Sequence, residues 1–590
     1  NIAQGASVTI SGAGSLDIAG NIQKTGSFDA VDGTVRMVGT TGAQAIPANT
    51  FATNYIKNLT INNASGVVLS GVLNLTGILN PAAGTFTTGN QLTLKSNVAT
   101  TAVIAPVTGT VSGEMTIERY VPARRAYRFI SSSIDATVTG TIRSNWQENG
   151  VDAPGWGTDI TGAGAEDNGF DASGSNNPSL FTHNHNNSTS GTWTAVGSTK
   201  TRLLAGVAYR LMVRGDRTVD QHLNASPASV TTLRAHGTIK TGNVSVAGLN
   251  TAVGGFTLVG NPYQAAVNMQ TALAASAGLN KQFYYVWDPT LNTRGAYATV
   301  NVDNNTNTSG SAATRLAQPN QAFFVRTVAG AAPALTFTES QKDVTSVQTQ
   351  SVYRNAANNA SLKFMLYDAQ QTNTLDGFVI DFNENFNNAI DDSDALKPVN
   401  QDENIGLMND GKVYSYESRN LPVASEVLPI SHTQYRGTEY LYKVQATGLT
   451  AVSAYLLDKH TNTKTLLANG QETSIAFSVN SSVATSSVAN RFDVVFETTL
   501  GTDENAFANG IQVYPNPITA NQFFVALPTA IEGNVTLKMA NLLGQEVYAA
   551  TVTATGSAIL VQPSKTLQSG VYLLSISNGK ETTTKKLIVK

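Results

Sequence analysis

The sequence predicts an all-β protein: an N-terminal parallel β-helix-like repeat, two β-sandwich-like regions and a small C-terminal Ig-like β-sandwich. Three observations predict it. Apolar residues recur two apart in short runs along the whole chain, which is the period of a strand. The runs are separated by Gly, Asn, Ser and Thr, the residues of turns, and 50 of the 590 residues are Gly. Near the N-terminus the spacing between runs returns at 19 residues.

Residues 1–113 carry that repeat. Apolar pairs stand at 8–10, 16–18, 35–37, 59–61, 67–69, 73–75 and 92–94, and Leu16 to Val35 and Leu73 to Leu92 are both steps of 19. Three short strands per rung of about 20 residues is the arithmetic of a parallel β-helix, whose coils bury their inward side chains by stacking. Residues 45–54 interrupt the repeat, which keeps an antiparallel sandwich as the alternative. A β-helix without a polar cap would expose an open edge at Asn1, so a longer parent chain is expected.

Residues 114–345 bring in Arg and aromatic side chains, with strands expected at 126–131, 191–196, 206–214, 254–260, 283–287, 322–328 and 334–338, and one helix at 267–277. Residues 355–498 read as a second sandwich, with strands at 362–368, 377–381, 413–417, 441–446, 454–458 and 491–497. Residues 499–510 form a polar linker, and 511–590 a last small sandwich. In it Gly544 and Gly570 are expected at turns, and Lys585 and Lys586 blunt the edge of the final strand.

Composition excludes several function classes. Charged residues make up 13% of the chain, about half the roughly 25% usual in globular proteins. With 37 Lys+Arg against 40 Asp+Glu there is no net basic charge with which to displace counterions from nucleic acid. The absence of Cys removes disulfides, thiol nucleophiles and Cys-ligated metals. No apolar run approaches the ~18 residues that span a bilayer, so no transmembrane segment is expected.

Catalytic constellations are scarce, and no catalytic residue is assigned. His183 and His185 could share one face of a strand as metal ligands, but their Asn, Ser and Thr neighbours indicate a solvated loop. Glu166, Asp167 and Asp171 could supply the two carboxylates of glycoside hydrolysis, although such pairs are common. Asp17, Asp29 and Asp32 are the only acidic residues in the first hundred and do not recur on the 19-residue step, so the repeat carries no carboxylate cluster. The best metal candidate, for Ca2+, is Asp381, Asn383, Asn385 and Asp392, at positions one, three, five and twelve of a calcium-type loop. Phe386 stands where the sharp turn wants Gly, which favours an ordinary loop with a short helix at 388–396 and no cofactor. Trp146, Trp156, Trp193 and Trp287 could be stacking platforms for a glycan ligand, although Trp in sandwiches is more often core.

The last eighty residues are the most specific. They contain Val513-Tyr514-Pro515-Asn516-Pro517, then Leu542, Gly544, Glu546 and Val547 in an L-x-G-x-E-V turn, then Gly570-Val571-Tyr572 in S-G-V-Y-L-L, and a terminal strand with Lys585 and Lys586. This block resembles the type A C-terminal sorting domain of type IX secretion system substrates of Bacteroidota. The resemblance implies transit through the periplasm and delivery by the folded domain to an outer-membrane translocon and a shuttle β-barrel. It implies a secreted or cell-surface location on the exterior of the outer membrane. It also implies removal of the domain by a cut within the 499–509 linker, with the cargo joined to surface lipopolysaccharide or released. Phe256–Gly260, Asn261-Pro262-Tyr263, the segment 285–288 and the segment 319–325 are similar to a stretch that recurs in large secreted surface proteins of the same bacteria; Asn261-Pro262 reads as a turn, with Trp287 and Phe323 as core. The expected function is a non-enzymatic surface or secreted protein of adhesin or stalk type. The alternative is a secreted polysaccharide-acting hydrolase or a carbohydrate-binding protein.

Overall fold

Between Ser7 and Val121 the chain winds into a nearly closed β-solenoid of about five turns. Its strands pair in parallel, and the registers are those of the sequence repeat: Leu16 sits opposite Val35, and Leu73 opposite Leu92. Leu75, Leu94 and Ile117 are consecutive register partners and form one inward column, all nearly inaccessible to solvent. A second face stacks Gln44–Ile46, Val67–Leu69, Thr85–Thr87 and Thr110–Ser112, again in parallel. In Val67–Leu69 the two end residues are buried while Val68 is exposed, the alternation expected of a strand with one face on a core. The interruption at 45–54 is the strand Gln44–Ile46 plus a loop whose Phe51 packs on Phe28 at 5.0 Å. This insertion lengthens the step, so that Val35 pairs with Leu59.

The structure, a computed structural model, describes residues 1–223, 225–345, 360–498, 511–527, 533–554 and 558–590. The expected linker at 499–510, with its cut, lies outside them. The chain divides into two compact units, Asn1–Thr498 and Thr499–Lys590.

Solenoid corners need small residues and satisfied polar groups. At Gly84 φ is +72°, and a Cβ would lie 1.9 Å from the Asn63 carbonyl oxygen, so only glycine fits. Buried Gln44 donates through Nε2 to the Ile18 and Gly20 carbonyls, while its Oε1 accepts from Gly39 N and Asn63 Nδ2. No charge is needed to satisfy this corner.

The solenoid ends in Glu114–Val121, which pairs in parallel with Leu92–Leu94 on one edge and antiparallel with Thr231–Ile239 on the other. The second region therefore grows from the last rung. It contains a four-stranded sheet (Ala126–Ile130, Tyr209–Val213, Leu180–Asn184, Thr192–Ala195) and a five-stranded sheet around Phe283–Asp288. An aromatic cluster including Phe129, Trp287, Tyr297 and Phe324 lies between them. The expected helix at 267–277 is confined to Met269–Ala274, because Ala266–Asn268 is a strand and Asn268 caps the helix by accepting from Gln270 N.

The third region is one eleven-stranded sheet. Its two outer strands, Thr463–Leu467 and Glu472–Ser478, follow each other in the chain, so the sheet is rolled around a single core containing Phe364, Phe378, Tyr442 and Phe492. The helix expected at 388–396 is absent: the segment is turns followed by Ala395–Leu396, a short strand on Lys412–Arg419. Inside this region Lys397 is paired with the fully buried Asp376, whose other oxygen accepts from Ile405 N at 2.8 Å. Burial pushes the Asp376 pKa up, against the pull of Lys397. Lys397→Met should cost about 3–5 kcal/mol, because it leaves an uncompensated buried carboxylate. Lys397→Met combined with Asp376→Leu should cost less than the single change, as read from urea unfolding midpoints.

The terminal unit packs a three-stranded sheet (Gln512–Tyr514, Phe523–Ala526, Ile559–Val561) on a four-stranded one (Glu546–Ala554, Gly533–Asn541, Gly570–Ser577, Thr582–Val589). Val525, Leu537, Met539, Leu574 and Leu587 form its core at full burial.

Candidate functional site

The sequence motifs converge on the terminal unit, and the final strand organises them. Thr582–Val589 is the edge of its sheet, paired on one side with Gly570–Ser577. The last part of its other side, from Lys586 onward, is covered by the Pro-Asn-Pro segment. Pro515 and Pro517 have no N–H to offer a neighbouring strand, and the Asn516 side chain supplies the missing peptide group. Its Nδ2 donates to the Lys586 carbonyl at 2.9 Å and its Oδ1 accepts from Ile588 N at 2.8 Å. Ile518 continues the cover, donating to the Ile588 carbonyl and accepting from Lys590 N at 3.0 Å. Tyr514, half exposed, stacks on Phe524 at 5.6 Å, and Val513 pairs with Val525.

The other motif residues serve the same sheet. Leu542 and Leu543 are exposed at a hairpin tip held by Asn541, whose Oδ1 accepts from Leu543 N and Gln545 N. Gly544 takes φ +81° there, as its turn role requires. Glu546 and Val547 open the outgoing strand. Gly570, expected in a turn, is instead the first residue of a strand, opposite Val589. Val571 pairs with Ile588, and Tyr572 is buried with its hydroxyl donating to the Gln568 carbonyl at 2.9 Å. Lys586 points outward and Lys585 lies half-buried beside Leu587. Asn516 is the functional side chain whose role was hidden in the sequence; its signal was a polar residue confined between two prolines.

The candidates elsewhere are dispersed. Asp381 is the penultimate residue of the strand Thr374–Phe382, with its carboxylate accepting the Tyr416 hydroxyl, and burial raises its pKa. Asn383 Oδ1 accepts from Asn385 N at 2.9 Å, and Asp392 is exposed while its carbonyl accepts from Asn280 Nδ2. Among the described residues no group of three or more His, Cys, Asp or Glu is arranged to hold a metal ion. Asp171 is bridged by Arg217 at 3.0 Å and accepts from Gln147, whereas Glu166 and Asp167 lie in the turn Ala165–Asn168. Trp146 and Trp287 are core, and Trp156 lies under Arg234 at 4.3 Å. His183, expected in a solvated loop, belongs to the strand Leu180–Asn184 and packs against Trp193 and Phe324. A cleft of about 420 Å³ lies between the second and third regions, where Arg294 and Arg436 both bind the buried Asp402.

Residues 512–590 match the secretion system C-terminal sorting domain family. The terminal unit belongs to that family, and with it the chain carries the sorting signal of a type IX secretion substrate, exported to the cell surface or beyond it. No curated protein matches the chain. Among solved structures it is similar to PorZ, a surface component of the type IX secretion system of Porphyromonas gingivalis, at 17% identity and TM-score 0.13, over 18% of this chain and 14% of that one. It is also similar to dimeric latent PorU of the same organism, at 9% identity and TM-score 0.12, over 43% of this chain and 31% of that one. The chain thus spans less than a third of either protein, and likeness at this level carries no weight for fold or activity.

Replacing Asn516 by Asp should remove the donor to Lys586 and place a carboxylate against its carbonyl. The expected loss is about 0.5–1.5 kcal/mol in the terminal unit, because Asn516 is exposed and water can take over part of the contact. Hydrogen exchange at the Ile588 amide should speed up while amides of the solenoid core keep their protection.

Proposed function

We propose that the protein is a non-enzymatic surface or secreted protein of a Bacteroidota species, with residues 1–498 as an adhesive or stalk-like passenger and residues 511–590 as its secretion signal. The observation that carries the reading is the sorting domain itself, folded as two packed sheets with part of the terminal edge covered by Asn516. The partners are the outer-membrane translocon and shuttle β-barrel during export, and surface lipopolysaccharide after processing. What supports a binding passenger is the state of its ionic groups. Three of its shielded carboxylates, Asp171, Asp376 and Asp402, are each held by Arg or Lys, which suits rigidity better than proton transfer. No cofactor is assigned, since the Asp381 carboxylate is already engaged by Tyr416.

Deleting residues 511–590 should leave the passenger in the periplasm of its native host, as followed by cell fractionation; normal surface delivery without them would refute the export claim. The purified full chain should release no product from a panel of polysaccharides and peptides over prolonged incubation, and turnover of any of them would overturn the non-enzymatic reading.

A further inference from the structure

The four-stranded sheet of the second region has one face on the solenoid-side core, through Leu180, Tyr209, Leu211 and Val213. Strand alternation sends Tyr127, Phe129, Phe181, His183, Trp193 and Arg210 to the opposite face. Arg210 is the register partner of both Phe129 and Phe181, and His183 that of Trp193. The Arg210 guanidinium carbon lies 4.5, 4.6 and 4.2 Å from the ring centroids of Tyr127, Phe181 and Trp193. The rings are themselves braced: Trp193 packs on Phe129 at 5.3 Å and on His183 at 5.2 Å. Gly191 makes room for the imidazole, since a Cβ there would lie 2.3 Å from the His183 ring.

Arg210 differs from the other buried arginines. Arg217, Arg419 and Arg491 are held by carboxylates. Arg119 reaches the Thr101 hydroxyl, and Arg128 reaches backbone carbonyls. The Arg210 side chain has no ion pair and no hydrogen bond with any described residue, and its Nε is closed off from solvent without an acceptor. Stacking on rings compensates part of the cost of desolvating a cation, about 0.5–2 kcal/mol for each contact. It gives the N–H groups no acceptor. Of its nitrogens only Nε is fully shut away, and the two terminal groups keep some exposure to solvent. The rings fix the guanidinium plane, and a fixed planar fork matches a carboxylate with two parallel hydrogen bonds. Beside it Trp193, packed against the aromatic cluster but partly exposed, adds an apolar ring of the kind that contacts the face of a sugar.

We propose that Arg210 and Trp193 form a binding site for a carboxylated sugar of an acidic polysaccharide, with the carboxylate on the Arg210 terminal N–H groups and the sugar ring against the indole. The proposal rests on residues 1–498 being a binding passenger. The test uses the purified full chain, so its failure leaves the export reading intact, and failed export would leave this binding untouched. Affinity electrophoresis should show retardation by polygalacturonate, little by its methyl ester, and less by dextran sulfate than by polygalacturonate. Arg210→Gln should weaken binding at least tenfold. Arg210→Lys, which keeps the charge and the packed stem without the fork, should weaken it several-fold at unchanged melting temperature, and Trp193→Phe should weaken it less. No retardation of the wild-type chain, equal retardation by the methyl ester, tighter binding of dextran sulfate, or undiminished binding by Arg210→Lys would overturn the assignment.

Discussion

A β-strand with an unpaired edge carries a row of backbone donors and acceptors that must end in water or in another strand, and the closing of those edges organises this protein from end to end. In the solenoid each rung closes the one before it, and the last rung is closed by Thr231–Ile239. The third region solves the problem by rolling one sheet until its outer strands are joined by a turn. The terminal unit has too few residues to do either. It covers part of its final edge with one asparagine side chain and one isoleucine backbone. Three solutions in one chain explain why so little charge is needed: backbone pairing and aliphatic stacking satisfy most of the interior.

Some of the buried charge is balanced by an ion pair, and some by hydrogen bonds alone, as at Asp394, which accepts from Asp391 N and Ser418 N. Asp376 with Lys397 is shut away from water, Asp458 with Arg491 is nearly so, and Asp171 with Arg217 ties two loop segments together. Pairs of this kind contribute little net stability over apolar packing, but at Asp376 and Asp458, which sit in strands, a shifted register would strand a charge. Arg210 has neither kind of partner for its side chain, only rings, and that gives it meaning.

The sequence was most informative where structure repeats. The 19-residue steps from Leu16 to Val35 and from Leu73 to Leu92 are true register pairs, because stacking demands the same side-chain type at the same place on successive rungs. The longer step from Val35 to Leu59 was illegible, since Gln44–Ile46 is too short to carry a period. The 388–396 segment has helix-compatible residues, yet its turns are fixed by Asp391 and Asp394 accepting from nearby backbone N–H groups. The terminal motifs announced the sorting domain through their order. The role of Asn516 stayed hidden, because it depends on a strand some seventy residues further along. Arg210 was equally silent: a lone arginine in a strand says nothing until its neighbours across the sheet are known.

The strand that closes the last solenoid rung is contributed by Thr231–Ile239, more than a hundred residues after the rung it covers. A chain that emerges N-terminus first can wind its rungs as they arrive, but it cannot seal that sheet until residue 239 is free. Throughout that interval Glu114–Val121 would present an unpaired, mostly buried-type strand to anything nearby, including another copy of the same rung. The order of emergence is thus written into the topology: a passenger interrupted between residues 122 and 230 would be an aggregation template, and one carried past 239 a finished solenoid.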